Sequence, residues 1–158
     1  MLEIAIPGFA ALKLEFLVLD FNGTLAKDGE LLPGVWERLD ILCRELDTRV
    51  ITADTHGTVR GQMRGLRLAV NVLEDRSLPE DQAKDRMLRD LGADKAVFVG
   101  NGANDCLALA TAALGIAVCQ AEGVSPRALA AADVMAPNIL AALDLLRFPK
   151  RLVATLRV

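Results

Sequence analysis

The sequence predicts an α/β fold: three layers, with a mainly parallel Rossmann-like sheet and helices on both faces. Three observations carry that reading. Short runs rich in Val, Ile and Leu alternate with amphipathic stretches, and strands alternating with helices build parallel sheets through right-handed crossovers. A chain of 158 residues with no repeat, linker or low-complexity tract suits a single domain over 1–158. Its composition, 53% hydrophobic and 25% charged, supports a large core and excludes disorder.

Each element has its own signal. Residues 2–6 alternate apolar and polar up to Pro7-Gly8 and read as an edge strand. Residues 14–20 form the first central strand, whose run Phe16-Leu17-Val18-Leu19 ends on Asp20. The Asp28-Gly29 turn within 26–31 predicts a small hairpin. Pro33 opens a helix over about 33–46, with Val35, Leu39, Leu42 and Leu46 on one face. Strand 49–52, a short helix over 56–65 and strand 68–72 follow. A helix over 79–91 stops at Gly92. Strand 96–100, helix 103–113 and strand 115–119 come next, then a helix that Ser125 caps and Pro126 starts. A short strand at 134–135 and a helix over 137–147 complete the pattern.

Charge and cysteine usage narrow the function classes. A net charge of −3 argues against broad nucleic-acid binding, and Arg60, Arg64 and Arg67 read as a solvated helix face. Cys43, Cys106 and Cys119 lack metal-ligand spacing and read as buried thiols in a reducing cytoplasm. The N-terminus does not have the pattern of a signal peptide, and no apolar run is long enough to span a bilayer. We expect a cytoplasmic protein that is not inserted in a membrane.

The chemistry gathers at strand ends. Burying a carboxylate without partners is costly, and open α/β sheets bind ligands outside the carboxyl ends of their strands. Asp20 stands at such an end and opens the turn Asp20-Phe21-Asn22-Gly23-Thr24-Leu25. Strand 49–52 ends in Thr52-Ala53-Asp54-Thr55-His56-Gly57, and strand 96–100 leads into Asn101-Gly102-Ala103-Asn104-Asp105. Lys84 lies on the helix between them. Phosphoryl transfer needs such a set: a carboxylate to take the phosphoryl group, carboxylates for magnesium, a hydroxyl and an ammonium for phosphate oxygens. The glycines of both loops, Gly23 and Gly102 among them, let backbone N–H groups approach a phosphate. Plainer readings stand beside these. Asp20 can be a turn residue, Asp54 a helix N-cap, and Asn104 or Asp105 the cap of the next helix. His56, the single histidine, can be structural or touch substrate, and Lys95 competes with Lys84.

Taken in order, Asp20-x-Asn22-Gly23-Thr24, Thr52, Lys84 and Gly100-Asn101-Gly102-x-Asn104-Asp105 resemble the four motifs of the haloacid dehalogenase (HAD) superfamily and span nearly the whole chain. The nucleophile loop and the Gly-x-Gly-x-Asn-Asp element look most like P-type ATPases. With Thr52-Ala53-Asp54-Thr55-x-Gly57-Thr58 and the closing Arg151–Arg157 stretch, they resemble the soluble, P-type-ATPase-like proteins of prokaryotes. The resemblance implies Asp20 as nucleophile and Mg2+ ligand, with the main-chain carbonyl of Asn22, Asn101 and Asp105 completing the metal set. It implies Thr52 and Lys84 as phosphate binders, and Gly23, Thr24, Ala53, Asp54, His56, Gly102 and Asn104 as residues lining the phosphate or substrate.

Two departures from that pattern bear on mechanism. The superfamily's phosphatases carry Asp where this chain has Asn22, and a carboxamide cannot exchange a proton near neutral pH. General acid–base help is worth ~10²–10⁴-fold, so slow turnover, or a leaving group needing no acid, is expected. Asn101 also stands where the family has Asp, which predicts weaker magnesium binding. Only 26 residues separate Leu25 from Thr52, too few for a cap domain, so the 26–31 hairpin is the flap and a homo-oligomer is expected to close the site. The expected activity is magnesium-dependent phosphoryl transfer from a small phosphorylated substrate through an aspartyl phosphate on Asp20. The rival is a catalytically weakened phosphate-binding or regulatory protein, and a third reading is an accessory domain of a membrane transporter.

Overall fold

Six parallel strands form the central sheet of the computed structural model, which describes residues 1–53, 57–73 and 77–158. In spatial order these are β10 (Val134–Ala136), β9 (Leu114–Val118), β8 (Ala96–Gly100), β3 (Phe16–Asp20), β6 (Asp47–Thr52) and β7 (Leu68–Val72), numbered along the chain. The chain runs outward from β3 through β6 to β7, then restarts beside β3 with β8 and runs outward the other way. This reversal puts the switch point, where such sheets bind ligands, between the ends of β3 and β8. Leu19 pairs with Val99 and Asp20 with Ile51, so Asp20, Gly100 and Thr52 end side by side on one rim.

Strand side chains alternate between faces, and the core divides accordingly. Leu17, Leu19, Val97 and Val99 pack on one side with α1 (Val35–Leu42), α6 (Ile139–Arg147) and α7 (Pro149–Leu156). Val18, Ala96 and Phe98 pack on the other with α3 (Glu80–Leu91), α4 (Cys106–Thr111) and α5 (Pro126–Ala131). A single turn, α2 (Val59–Gln62), follows β6. The flap is present as β4 (Ala26–Lys27) and β5 (Glu30–Leu31), paired antiparallel across Asp28 and Gly29, whose φ angles are 51° and 79°. No cap domain is inserted among the described residues, and no described helix is long and apolar enough to cross a membrane.

Several expectations are corrected. Residues 2–6 are not an edge of the central sheet. They form β1 (Leu2–Ile6), which pairs antiparallel with β2 (Ala10–Leu14) in a separate hairpin. The first central strand therefore starts at Phe16, and Glu15 bridges to its neighbours by accepting from the Asp47 N–H and donating to the Lys95 carbonyl. Pro33 precedes its helix rather than opening it, because Gly34 takes a left-handed φ of 84° as the cap. The 103–113 helix splits into a 3-10 turn over Ala103–Asp105 and then α4. Cys119 is exposed just past β9, so only Cys106 is fully buried.

Candidate active site

A buried ion triad stands at the switch point. Asp20 ends β3 with 6% of its surface exposed, while Lys84 and Asp105 have none. The Lys84 ammonium donates to Asp20 Oδ1 and to Asp105 Oδ1, at 2.8 Å each, and lies 3.3 Å from Glu80 Oε1. Lys84 reaches the rim because Leu88, four residues on, is fully buried on the same stripe of α3. Its rival Lys95 is half exposed and pairs with Glu15 instead.

Asp105 folds back over its own loop. Its Oδ2 accepts the N–H groups of Asn101 at 3.0 Å and Gly102 at 2.8 Å. A side chain at position 100 would put its Cβ 2.5 Å from the Asp105 carboxyl carbon, so the glycine there makes the return possible. With Lys84 on Oδ1 as well, three acceptor positions of Asp105 are already filled, and the Gly102 amide is committed to it. Asn104 donates to Glu80 Oε1 at 2.8 Å, which ties the loop to α3.

The nucleophile loop closes the other side. Phe21 O accepts the N–H groups of Thr24, Leu25 and Ala26, a tight coil through which Gly23 passes at a φ of 76°. A Cβ on Gly23 would lie 2.5 Å from the Asn101 side-chain nitrogen, so this glycine also lets the two loops touch. Thr24 is fully buried, and its hydroxyl lies 3.3 Å from Asp20 Oδ2 and 3.2 Å from Asn101 Oδ1. One hydroxyl proton cannot serve both oxygens. Asn22 Oδ1 is buried with no hydrogen-bond partner among the described residues. Thr52 is 1% exposed at the end of β6, with Ala53 beside it partly buried. Asp54 and His56 lie outside the described residues.

The charges explain the electrostatics. Burial pushes the Asp20 carboxyl up to about 7, Asp105 adds to the shift, and Lys84 opposes both. Burial alone would lower the Lys84 ammonium, yet Asp20 and Asp105 outweigh it and hold it above its usual value. Among the described residues, two buried carboxylates face one ammonium, so this group carries an excess of negative charge. Among the described residues, no three His, Cys, Asp or Glu side chains are grouped to hold a metal. The donors that the Thr24 hydroxyl brings together are oxygens, Asp20 Oδ2 and Asn101 Oδ1, with Asp105 linked to Asp20 through Lys84. Magnesium fits them, since it takes one or two carboxylates and fills its remaining positions with phosphate and water. Zinc, which favours sulfur and nitrogen, does not.

A pH dependence follows. Asp20 binds its proton more tightly folded than unfolded, so without metal its contribution to stability is fully present below the unfolded pKa of 3.8 and is lost as pH rises through about 7. The melting temperature in EDTA should be lower at pH 8 than at pH 5, and Asp20→Asn should flatten the difference. An equal slope in both proteins would contradict the charge shortfall.

Two contributors carried no sequence signal or only a weak one. Gln120, just past β9, donates through Nε2 to the carbonyls of Gly23 and Thr24 and accepts the Ile139 N–H at 2.9 Å. Glu80, which steadies both Lys84 and Asn104, could have been found at the i−4 position from Lys84. Beside the loop lies a cavity of about 230 Å3 whose walls include Ala26, Leu32, Pro33, Ile139 and Leu140; it meets the site through Gly23 and Gln120.

No family model matches the chain. It is 39% identical to an uncharacterized protein of Methanocaldococcus jannaschii over 82 residues, 49% of this chain and 88% of that one. Among solved structures, a HAD family hydrolase from Streptomyces avermitilis has a TM-score of 0.66 at 20% identity, covering 89% of this chain and 86% of that one. The 3-deoxy-D-manno-octulosonate 8-phosphate phosphatase of Moraxella catarrhalis, solved with magnesium, phosphate and a KDO molecule, has a TM-score of 0.62 at 16% identity. It covers 92% of this chain and 88% of that one.

Proposed function

We propose that this chain, which has the haloacid dehalogenase fold, is a magnesium-dependent phosphohydrolase or phosphotransferase working through an aspartyl phosphate on Asp20. The observation that carries the reading is the triad: a buried carboxylate at the switch point, paired with a Lys84 ammonium that it shares with Asp105, so that two carboxylates face one cation among the described residues. Asp20 Oδ2 lies 3.3 Å from the Thr24 hydroxyl, whereas Oδ1 is held by Lys84 at 2.8 Å. The carboxylate forms a bond to phosphorus while the bond from phosphorus to the leaving oxygen breaks with its electron pair. Water then attacks phosphorus, the bond to Asp20 breaks, and inorganic phosphate leaves; the proton of that water passes to solvent, since Asn22 cannot accept it. Asp20, Asn101 and the Asn22 carbonyl would hold the metal and Asp105 would stand behind it, while magnesium would neutralise charge on the phosphoryl oxygens. Lys84 and Thr52 would steady the same oxygens.

Asn22 shapes the substrate class. With no acid to protonate it, the leaving group must depart as a stable anion, which favours acyl phosphates over alkyl phosphates. The P-type-ATPase-like reading belongs here as well, because a missing acid fits a long-lived phosphoenzyme. A phosphate-binding or regulatory protein is the second reading, favoured by the carboxamides at 22 and 101. Phosphate release from acetyl phosphate separates them. We expect release with magnesium, loss in EDTA and loss in Asp20→Asn; equal release by the variant and the native protein would overturn the assignment.

A further inference from the structure

We propose that Gln120 is a positioning residue for the nucleophile loop, acting through a ring of hydrogen bonds that also orients Asn101. The proposal rests on the phosphoryl-transfer reading for its kinetic consequence, but its geometry stands alone. Gln120 is half-buried, and both halves of its amide are used. Nε2 donates to Gly23 O at 3.0 Å and to Thr24 O, and Oε1 accepts from Ile139 at the start of α6. The two peptide planes that carry the Thr24 side chain are thereby tied to the helical layer.

The ring closes through the loop after β9. Gly123 N donates to Gln120 O at 2.7 Å, and Gly123 O accepts Asn101 Nδ2 at 3.1 Å. Asn101 Oδ1 in turn faces the Thr24 hydroxyl, which stands between it and Asp20 Oδ2. Asn101 N–H···Gly123 is a donor contact that a carboxylate could not make. The carboxamide at 101 is therefore matched to this loop: its nitrogen donates to Gly123 O, and its oxygen faces the Thr24 hydroxyl. In the same loop Glu122 Oε1 accepts the Asp28 N–H at 3.0 Å, so the segment also holds the tip of the flap. No other residue type suits position 120 equally well. Glu has the reach but no donor, and Asn has the amide but is one methylene short.

The test uses Gln120→Glu and Gln120→Met, which keep the length and remove the donors. The rate of covalent phosphoryl addition from acetyl phosphate is measured per folded molecule at saturation, alongside the half-saturating concentration and the amide spectrum. We expect at least a ~10-fold fall in maximal rate with half-saturation little changed, within the ~10²-fold that a 1 Å misplacement costs. We also expect shifts at the Thr24 backbone and Asn101 side-chain amides. A lower melting temperature with an unchanged maximal rate would overturn the proposal, because it would make Gln120 merely structural. If the native protein forms no adduct, the phosphoryl-transfer reading fails by itself. The spectra then decide: unshifted Thr24 and Asn101 signals in Gln120→Met overturn the positioning role, and shifts confined to that ring support it.

Discussion

Asn22→Asp should raise steady-state phosphate release from alkyl phosphates by roughly 10²–10⁴-fold, the range that general acid–base help supplies. Asn22 Oδ1 is buried and makes no hydrogen bond among the described residues, so a carboxyl in its place displaces no interaction with them on that atom. Protonated, it can give its proton to the departing oxygen, and ionised, it can take one from the attacking water. Both steps gain, but unequally across substrates. Acetyl phosphate releases acetate, a stable anion, and should gain only in the second step, whereas an alkyl phosphate should gain in both. Release measured across a series of leaving groups checks this. A uniform gain would mean that only the water step is limited by proton transfer at position 22, and no change would mean that neither step is.

Lys84→Met should destabilise the fold by about 3–5 kcal/mol, the cost of removing one partner from a buried ion pair. For a chain of this length that is a drop of roughly 10 °C in melting temperature. Lys84 has no exposed surface and holds both Asp20 and Asp105 at 2.8 Å, so its loss leaves two buried carboxylates facing each other. The defect should be largest at pH 8 and smaller at pH 5, where Asp20 takes up a proton. Asp20→Asn should restore part of the stability to Lys84→Met without restoring any phosphoryl transfer. A variant as stable as the native protein at pH 8 would contradict the charge count of the site.

The alternation of strands and helices was legible because buried parallel strands are almost continuously apolar, as Ala96–Gly100 and Leu114–Val118 are. The β1–β2 hairpin was not. Ala10–Leu14 and Phe16–Asp20 run together with only Glu15 between them, and composition cannot say that the chain leaves one sheet there and enters another. α7 was missed although Pro149 at its first position marks it, because the reading ended with the preceding helix. At the site, Asp20 and Asp105 carried a signal through their place at or just after strand ends, and Lys84 through its place on the helix between those motifs. Gln120 carried none: it is a loop glutamine whose partners are main-chain carbonyls far away in sequence, and only the fold brings them together. The sequence also pointed to Asp105 as the outer metal carboxylate; in the structure Lys84 and two backbone amides fill three of its acceptor positions.

The central claim is that Asp20 carries the phosphoryl group, and acid-quenched intact mass tests it most directly. The protein is incubated with magnesium and acetyl phosphate, or with ATP, beside an Asp20→Asn control. One added phosphoryl group is expected on the native chain, absent from the control and lost in EDTA. No adduct on the native chain together with no free phosphate, or an adduct that persists in Asp20→Asn, would contradict it.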